Sequence, residues 1–176
     1  MKTLIIVTHP EINNSIINKR WIEELNKYPE KYTFHELYKT YPDWKIDVAK
    51  EQQLINSYDK IIFQFPLYWF SSPPLLKQWE DKVMLRGWAY GSKSGYKMEG
   101  KKIALAITLG GDEEDYKRNA KHNYTMQELT HPFEVTFNYV KADYKGFFAY
   151  YGIEFNTSDE WIEKSVLQYM EFIDKI

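Results

Sequence analysis

Unbroken apolar runs alternate along this chain with stretches of helical spacing. Leu4 to Val7 is the first run, four apolar residues with no polar alternation, the pattern of a strand covered on both faces. It stops at Thr8-His9-Pro10. Asn14 or Ser15 then caps a helix whose apolar positions, Ile17, Trp21, Ile22 and Leu25, recur at helical intervals, and Pro29 ends it. Tyr32 to Leu37 reads as a second strand. Tyr41-Pro42-Asp43 turns into a polar helix from Val48 to Tyr58. Lys60 to Phe65 is the third strand, and Pro66 bars it from continuing as a central one, because proline has no amide for the ladder. Pro73-Pro74 opens a helix from Leu75 to Leu85, where proline in the first turn costs little. Gly87 to Gly100 is a glycine-bearing loop. Ile103 to Thr108 is the fourth strand, broken by Gly110 and Gly111. Thr125 to Val140 reads as a helix interrupted or begun by Pro132, and Tyr144 to Tyr151 as the fifth strand. Ser158 caps a last helix to Ile173, without the full capping box.

Strand and helix therefore alternate about five times, which argues an α/β architecture. With right-handed crossovers few topologies remain. The first among them is a flavodoxin-like, doubly wound, five-stranded parallel sheet of order 2-1-3-4-5, with helices on both faces. No repeat or linker divides the chain, so residues 1–176 are expected to be one domain. Cysteine is absent, which excludes disulfides, zinc thiolates, Fe–S clusters and cysteine nucleophiles. A formal charge of -2 gives no electrostatic case for nucleic acid or an anionic membrane. No apolar run approaches the ~20 residues of a membrane span. The start of the chain is too short for a signal peptide, so a cytoplasmic protein is expected. Aromatic residues make up 18%, which points to ring-lined sites or an aromatic interface, or to surface tyrosines alone.

In the 2-1-3-4-5 order, strands one, three and four are neighbours, and their carboxyl ends share the crevice at the topological switch point. Their loops are Thr8-His9-Pro10, Phe65 to Phe70, and Thr108-Leu109-Gly110-Gly111. The first leads into a helix N-terminus, which favours an anion such as phosphate, with Asn13, Asn14 and Ser15 as added donors; a plain helix cap is the other reading. The second crowds Phe65, Tyr68, Trp69 and Phe70 into a strand-to-helix turn. It suits a flat heteroaromatic ligand, or it is an aromatic plug on the core. The third lets backbone approach a ligand closely, since no Cβ intervenes, or it is simply a turn. There is no Gly-x-Gly-x-x-Gly after strand one and no Gly-Lys-Ser/Thr, which argues against a Rossmann dinucleotide site and a P-loop. His9, His35, His122 and His131 show no metal spacing, and no Gly-x-Ser-x-Gly elbow marks a hydrolase. Asp112-Glu113-Glu114-Asp115 reads as a solvated face or an acidic helix start.

Read together, His9-Pro10 with Ser15, the run Phe65-Pro66-Leu67-Tyr68-Trp69-Phe70-Ser71 to Trp79, Gly87-Trp88-Ala89-Tyr90-Gly91, and Thr108 with Gly110-Gly111 resemble the NAD(P)H:quinone oxidoreductases. The likeness runs from residue 3 to about 152 and is nearest to short bacterial members, both general-stress quinone reductases and ancillary subunits of potassium efflux systems. It implies a bound flavin, a homodimer with sites at its interface, and two-electron ping-pong hydride transfer from NAD(P)H through flavin N5 to a quinone. The alternative it implies is a regulatory flavoprotein subunit on a membrane ion-efflux protein. By the same resemblance His9, Asn14, Ser15, Ile16 and Ile17 hold the flavin phosphate side. Pro66, Leu67, Tyr68, Trp69 and Phe70 lie along the isoalloxazine, and Thr108, Leu109, Gly110 and Gly111 meet its pyrimidine edge. Tyr116 and His122 fall at the places of a site tyrosine and histidine. Leu109 departs from the pattern, standing where the family often has a second threonine. Without the C-terminal extension of larger members, FMN is favoured over FAD.

Overall fold

The computed structural model describes residues 2–93 and 95–176; Met1, and Ser94 within the 87–100 loop, lie outside the described residues. Strands β1 (Thr3–Val7), β2 (Tyr32–Glu36), β3 (Lys60–Pro66), β4 (Lys102–Thr108) and β5 (Asp143–Tyr150) form one sheet of order β2-β1-β3-β4-β5, every neighbouring pair parallel. Among the described residues the helices are α1 (Ile17–Leu25), α2 (Leu37–Thr40), α3 (Val48–Asn56), α4 (Pro74–Val83), α5 (Met126–Tyr139) and α6 (Asp159–Lys175).

The unbroken apolar runs serve two layers, because successive strand residues point to opposite faces. Leu4, Ile6, Ile61, Phe63 and Leu105 pack with α3, α4 and α5 through Ile55, Trp79 and Phe137. Ile5, Val7, Ile62, Ala104 and Ala106 pack with α1 and α6 through Trp21, Leu25, Tyr169 and Ile173. On this second face the buried apolar residues of β4 are Ala104 and Ala106, and the Trp21 and Tyr169 rings pack with their centroids 4.4 Å apart.

Several boundaries differ from the sequence reading. Pro66 does belong to β3, a central strand, where it stands in register with Thr108. Leu67 N donates to Thr108 O, so the nitrogen of residue 66 faces the β1 side. β1 has already ended at Val7, so no ladder bond is lost there. Pro132 neither begins nor interrupts α5, which runs through it. Thr125 and Glu128 form a full capping box that fixes the start of the helix, and Pro132 lies on the exposed face, where the carbonyl it orphans can be hydrated. α1 stops at Leu25, before Pro29, and Leu37 opens the one-turn α2 instead of finishing β2.

Candidate functional site

At the end of β1 Thr8 is fully buried, and its Oγ1 has no hydrogen-bond partner. His9 Nδ1 accepts from Glu11 N at 3.1 Å, which places the ring proton on Nε2. Burial lowers the His9 pKa, partly offset by Glu11, so the imidazole is neutral and its Nε2–H is a donor. Asn14 lies in a 3-10 turn over Ile12–Asn14, and Ser15 Oγ accepts from Asn18 N at 3.0 Å. α1 starts after Ile16 with no side-chain bond from that residue. Ile16 is exposed, whereas the Ile17 side chain is in the core, so residue 17 offers only main chain to this loop. His9 and Asn14 line a cavity of about 590 Å³ with Pro10, Glu36, Tyr38 and Lys39. The His9 N–H donor in the lining, with the Thr8 hydroxyl and the start of α1 behind it, favours an anion, and the Glu11 and Glu36 carboxylates in the same lining oppose one.

The loop after β3 is a tight turn. Tyr68 and Ser71 exchange two backbone hydrogen bonds of 2.9 Å, enclosing Trp69 at φ 49° and Phe70 at φ 62°. Two consecutive left-handed residues make this a type I′ turn, a geometry that favours Asn and Gly. Bulky residues held there are strained, which marks the turn as a functional candidate. Trp69 is 93% exposed, and Tyr68 and Phe70 are exposed beside it.

Opposite this turn lie Gly110 and Gly111. A 3-10 turn over Glu113–Tyr116 brings the buried Tyr116 back against Gly111, where a Cβ would fall 3.3 Å from Tyr116 Cε2. The His122 ring lies 4.8 Å from Tyr116 and 5.0 Å from Phe70, centroid to centroid. Burial raises the Tyr116 phenol above its ordinary value, and Asp115 and Glu154 raise it further. Leu67, Trp69, Phe70, Leu109, Gly110, Gly111, Tyr116 and His122 thus line one cavity of about 280 Å³, with Lys121 and Glu154. Asp112, Glu113 and Glu114 stay exposed at the start of the 3-10 turn, as a solvated acidic start.

Thr108 is buried beneath this crevice, and its Oγ1 accepts from Asn18 Nδ2 at 2.7 Å. Gln64 Nε2 donates to Asn18 Oδ1 at 3.2 Å, and Tyr169 OH donates to Gln64 Oε1 at 3.2 Å. This buried chain of donors ties α6, β3, α1 and β4 together, and it leaves the Thr108 hydrogen free to donate. Thr108 was among the expected site residues; sequence reading missed Asn18, Gln64 and Tyr169, although Asn18 and Gln64 were visible as polar residues on otherwise apolar faces. It also missed Lys121 and Glu154, which no local pattern signals. The cavity of the first loop and the ring-lined cavity are separate. Pro66 and Tyr68 flank the ring-lined cavity without lining it. Among the described residues no group of three His, Asp or Glu is placed to hold a metal, and no helix is long and apolar enough to cross a membrane.

The sequence matches the family described as having a flavodoxin-like fold over residues 1–173. It is 46% identical over 173 residues to the uncharacterized NAD(P)H oxidoreductase YrkL of Bacillus subtilis (strain 168), covering 98% of each chain. It is 39% identical over 135 residues to the glutathione-regulated potassium-efflux ancillary protein KefG of Yersinia pestis, covering 77% of this chain and 73% of that one. The crystal structure of general stress protein 14 from Treponema denticola in complex with FMN superposes with a TM-score of 0.93 at 43% identity, over 99% of both chains. That of an NADPH-quinone reductase from P. pentosaceus superposes at 0.89 and 31%, over 100% of this chain and 99% of that one.

Proposed function

Because the chain belongs to the flavodoxin-like NAD(P)H oxidoreductase family, related to general stress protein 14 and the quinone reductases, we propose that it is an FMN-dependent NAD(P)H:quinone oxidoreductase. The observation that carries this reading is the strained, exposed Trp69-Phe70 turn facing Gly110-Gly111 across one cavity. Such a slot takes a flat ring, with flat side chains on one side and, on the other, a glycine turn against which Tyr116 and Glu154 pack.

The residues present fit a flavin mononucleotide. The orphaned Thr8 hydroxyl, the His9 Nε2–H and the start of α1 suit its phosphate, and the ring-lined cavity suits its isoalloxazine. Bound flavin supplies a two-electron relay through N5 between nicotinamide and acceptor. The protein does the rest. The backbone amides of Gly110 and Gly111 and the Thr108 hydroxyl offer fixed donors where negative charge gathers, whereas the Leu109 amide already donates to Tyr150 O at 3.1 Å. Tyr116, its phenol raised by burial, remains protonated at neutral pH and is a donor at the cavity wall. His122, between the Phe70 and Tyr116 rings, is a second group able to hand over a proton. The nicotinamide loses two electrons and one proton, the quinone gains two electrons and two protons, and solvent supplies the second proton.

The test is the absorption spectrum of protein reconstituted with FMN, before and after anaerobic NADPH or NADH. Bleaching in one step, with colour returned by a quinone, is the expected result. A protein that takes up neither FMN nor FAD overturns the reading. The likeness to KefG favours a second reading, an ancillary flavoprotein docked on a membrane ion-efflux protein. Stable co-purification with such a membrane protein, together with slow quinone turnover, would put that reading first.

A further inference from the structure

Glu154 reaches the ring-lined cavity from the segment after β5. Three backbone bonds fasten that segment to the glycine turn: Gly152 N to Gly111 O at 2.9 Å, Ile153 N to Leu109 O at 3.2 Å, and Glu154 N to Gly110 O at 3.3 Å. The side chain folds over Gly110 so closely that a Cβ there would lie 2.5 Å from Glu154 Oε1. Gly110 is therefore the residue that makes room for this carboxylate. The other charged side chain at the wall, Lys121, is engaged with Asp115 at 3.5 Å. Glu154 forms no ion pair among the described residues, so the cavity carries an uncompensated negative charge at its backbone edge. Exposed Asp112 and Glu113 add the same sign nearby.

We propose that Glu154 is the charge filter of this cavity, a specificity-determining residue that admits uncharged ring acceptors and disfavours anionic ones. Its carboxylate also opposes the build-up of electron density beside Gly110 and Gly111, so that electrons taken from the nicotinamide are passed on and not retained. A like charge acts both on an incoming anion and on charge gained by reduction, because each brings negative charge close to the Glu154 carboxylate, which stands exposed at the cavity wall and is therefore open to screening by salt. The Tyr116 phenol feels the same field. The inference rests on the flavin-dependent reading above, and it names the acceptor class for that site.

The test compares wild type with Glu154→Gln, each reconstituted with FMN. One readout is the FMN two-electron midpoint potential. The other is kcat/KM for uncharged menadione against anionic 1,2-naphthoquinone-4-sulfonate. The variant is expected to shift the reduction equilibrium about tenfold toward the reduced form, about 30 mV for two electrons, and to improve the sulfonate's relative kcat/KM by a similar factor. Glu154→Asp keeps the charge and should stay near wild type on both. If both forms bind FMN and agree within twofold on both readouts, the proposal is overturned while the flavin reading stands. Failure of wild type to bind flavin overturns the reading itself. Should Glu154→Gln not fold, salt decides with wild type alone. Discrimination against the sulfonate should shrink between low and high ionic strength, and salt-independent discrimination overturns the proposal.

Discussion

Tyr116 and Glu51 show how one side chain's surroundings set its task. Tyr116 has a raised phenol pKa and sits in the cavity wall beside His122, so its hydroxyl is a donor throughout the neutral range. Tyr116→Phe is expected to leave FMN bound and to slow its reduction by NADPH about tenfold or more, read by stopped flow. Unchanged reduction kinetics would remove Tyr116 from the mechanism. Glu51 is the opposite case, a fully buried carboxylate with a structural task. It accepts from Tyr41 OH at 2.6 Å, Trp79 Nε1 at 2.7 Å and His35 Nε2 at 2.8 Å, joining α2, α4 and β2 to α3. Burial alone would raise its pKa, but the bonds from His35, Tyr41 and Trp79 outweigh it and hold the carboxyl below its ordinary value. A depressed folded-state pKa contributes stability that is present above the unfolded value and lost as pH falls through the folded one. Glu51→Gln should therefore cost about 3 kcal/mol at pH 7. The difference should close in acid, where the wild-type carboxyl is protonated too. Urea melts at pH 7 and pH 3 measure both, and equal midpoints at pH 7 would refute the claim.

Between α4 and α5 the balance reverses. Glu80 lies in the groove lined by Met84, Tyr90, Val135 and Tyr139, and burial pushes its pKa up to about 7, with Asp81 adding and Lys77 opposing. The native state then holds a proton that the unfolded chain releases near the ordinary value of 4.5, so stability falls as pH rises between 4.5 and 7. Glu80→Gln is expected to remove that slope and to be more stable than wild type by about 3 kcal/mol at pH 8. A parallel pH–stability profile for the two proteins would count against it. At this scale most elements were legible in the sequence, because runs such as Leu4 to Val7 and Ile103 to Thr108 serve two helical layers and cannot alternate. The crossover rule left few strand orders, and the one placed first among them is the one observed. The two prolines misled for different reasons: no carbonyl waits for an amide at Pro66, whereas the carbonyl that Pro132 orphans faces solvent. Beside Pro66 the neighbouring strand has ended, and around Pro132 the capping box and a solvated face carry the helix. The aromatic turn and the glycine pair were visible as residues, but the left-handed backbone of Trp69 and Phe70 was not. Glu154 was silent, since its place depends on three bonds between loops far apart in the chain.

For the whole molecule, one continuous sheet with a core on each face predicts a single cooperative unfolding transition, seen alike by fluorescence and circular dichroism. Exposed Leu85, Val135 and Tyr139 are apolar surface that a second copy would cover, so light scattering is expected to give about twice the 21.2 kDa chain mass. A monomer at micromolar concentration would rule out the shared-site dimer. The Trp69-Phe70 turn has a further consequence for endurance under heat. A solvent-exposed indole contributes little burial, and two aromatic residues in the left-handed region cost about 1–3 kcal/mol each. Asn-Gly would occupy the same turn without strain. The double change Trp69→Asn, Phe70→Gly is thus expected to raise the melting temperature by roughly 2–4 °C for each kcal/mol released. A chain kept for durability alone would drift toward such a turn, whereas this one holds its rings in the open, at an expected cost in heat stability that the double variant measures.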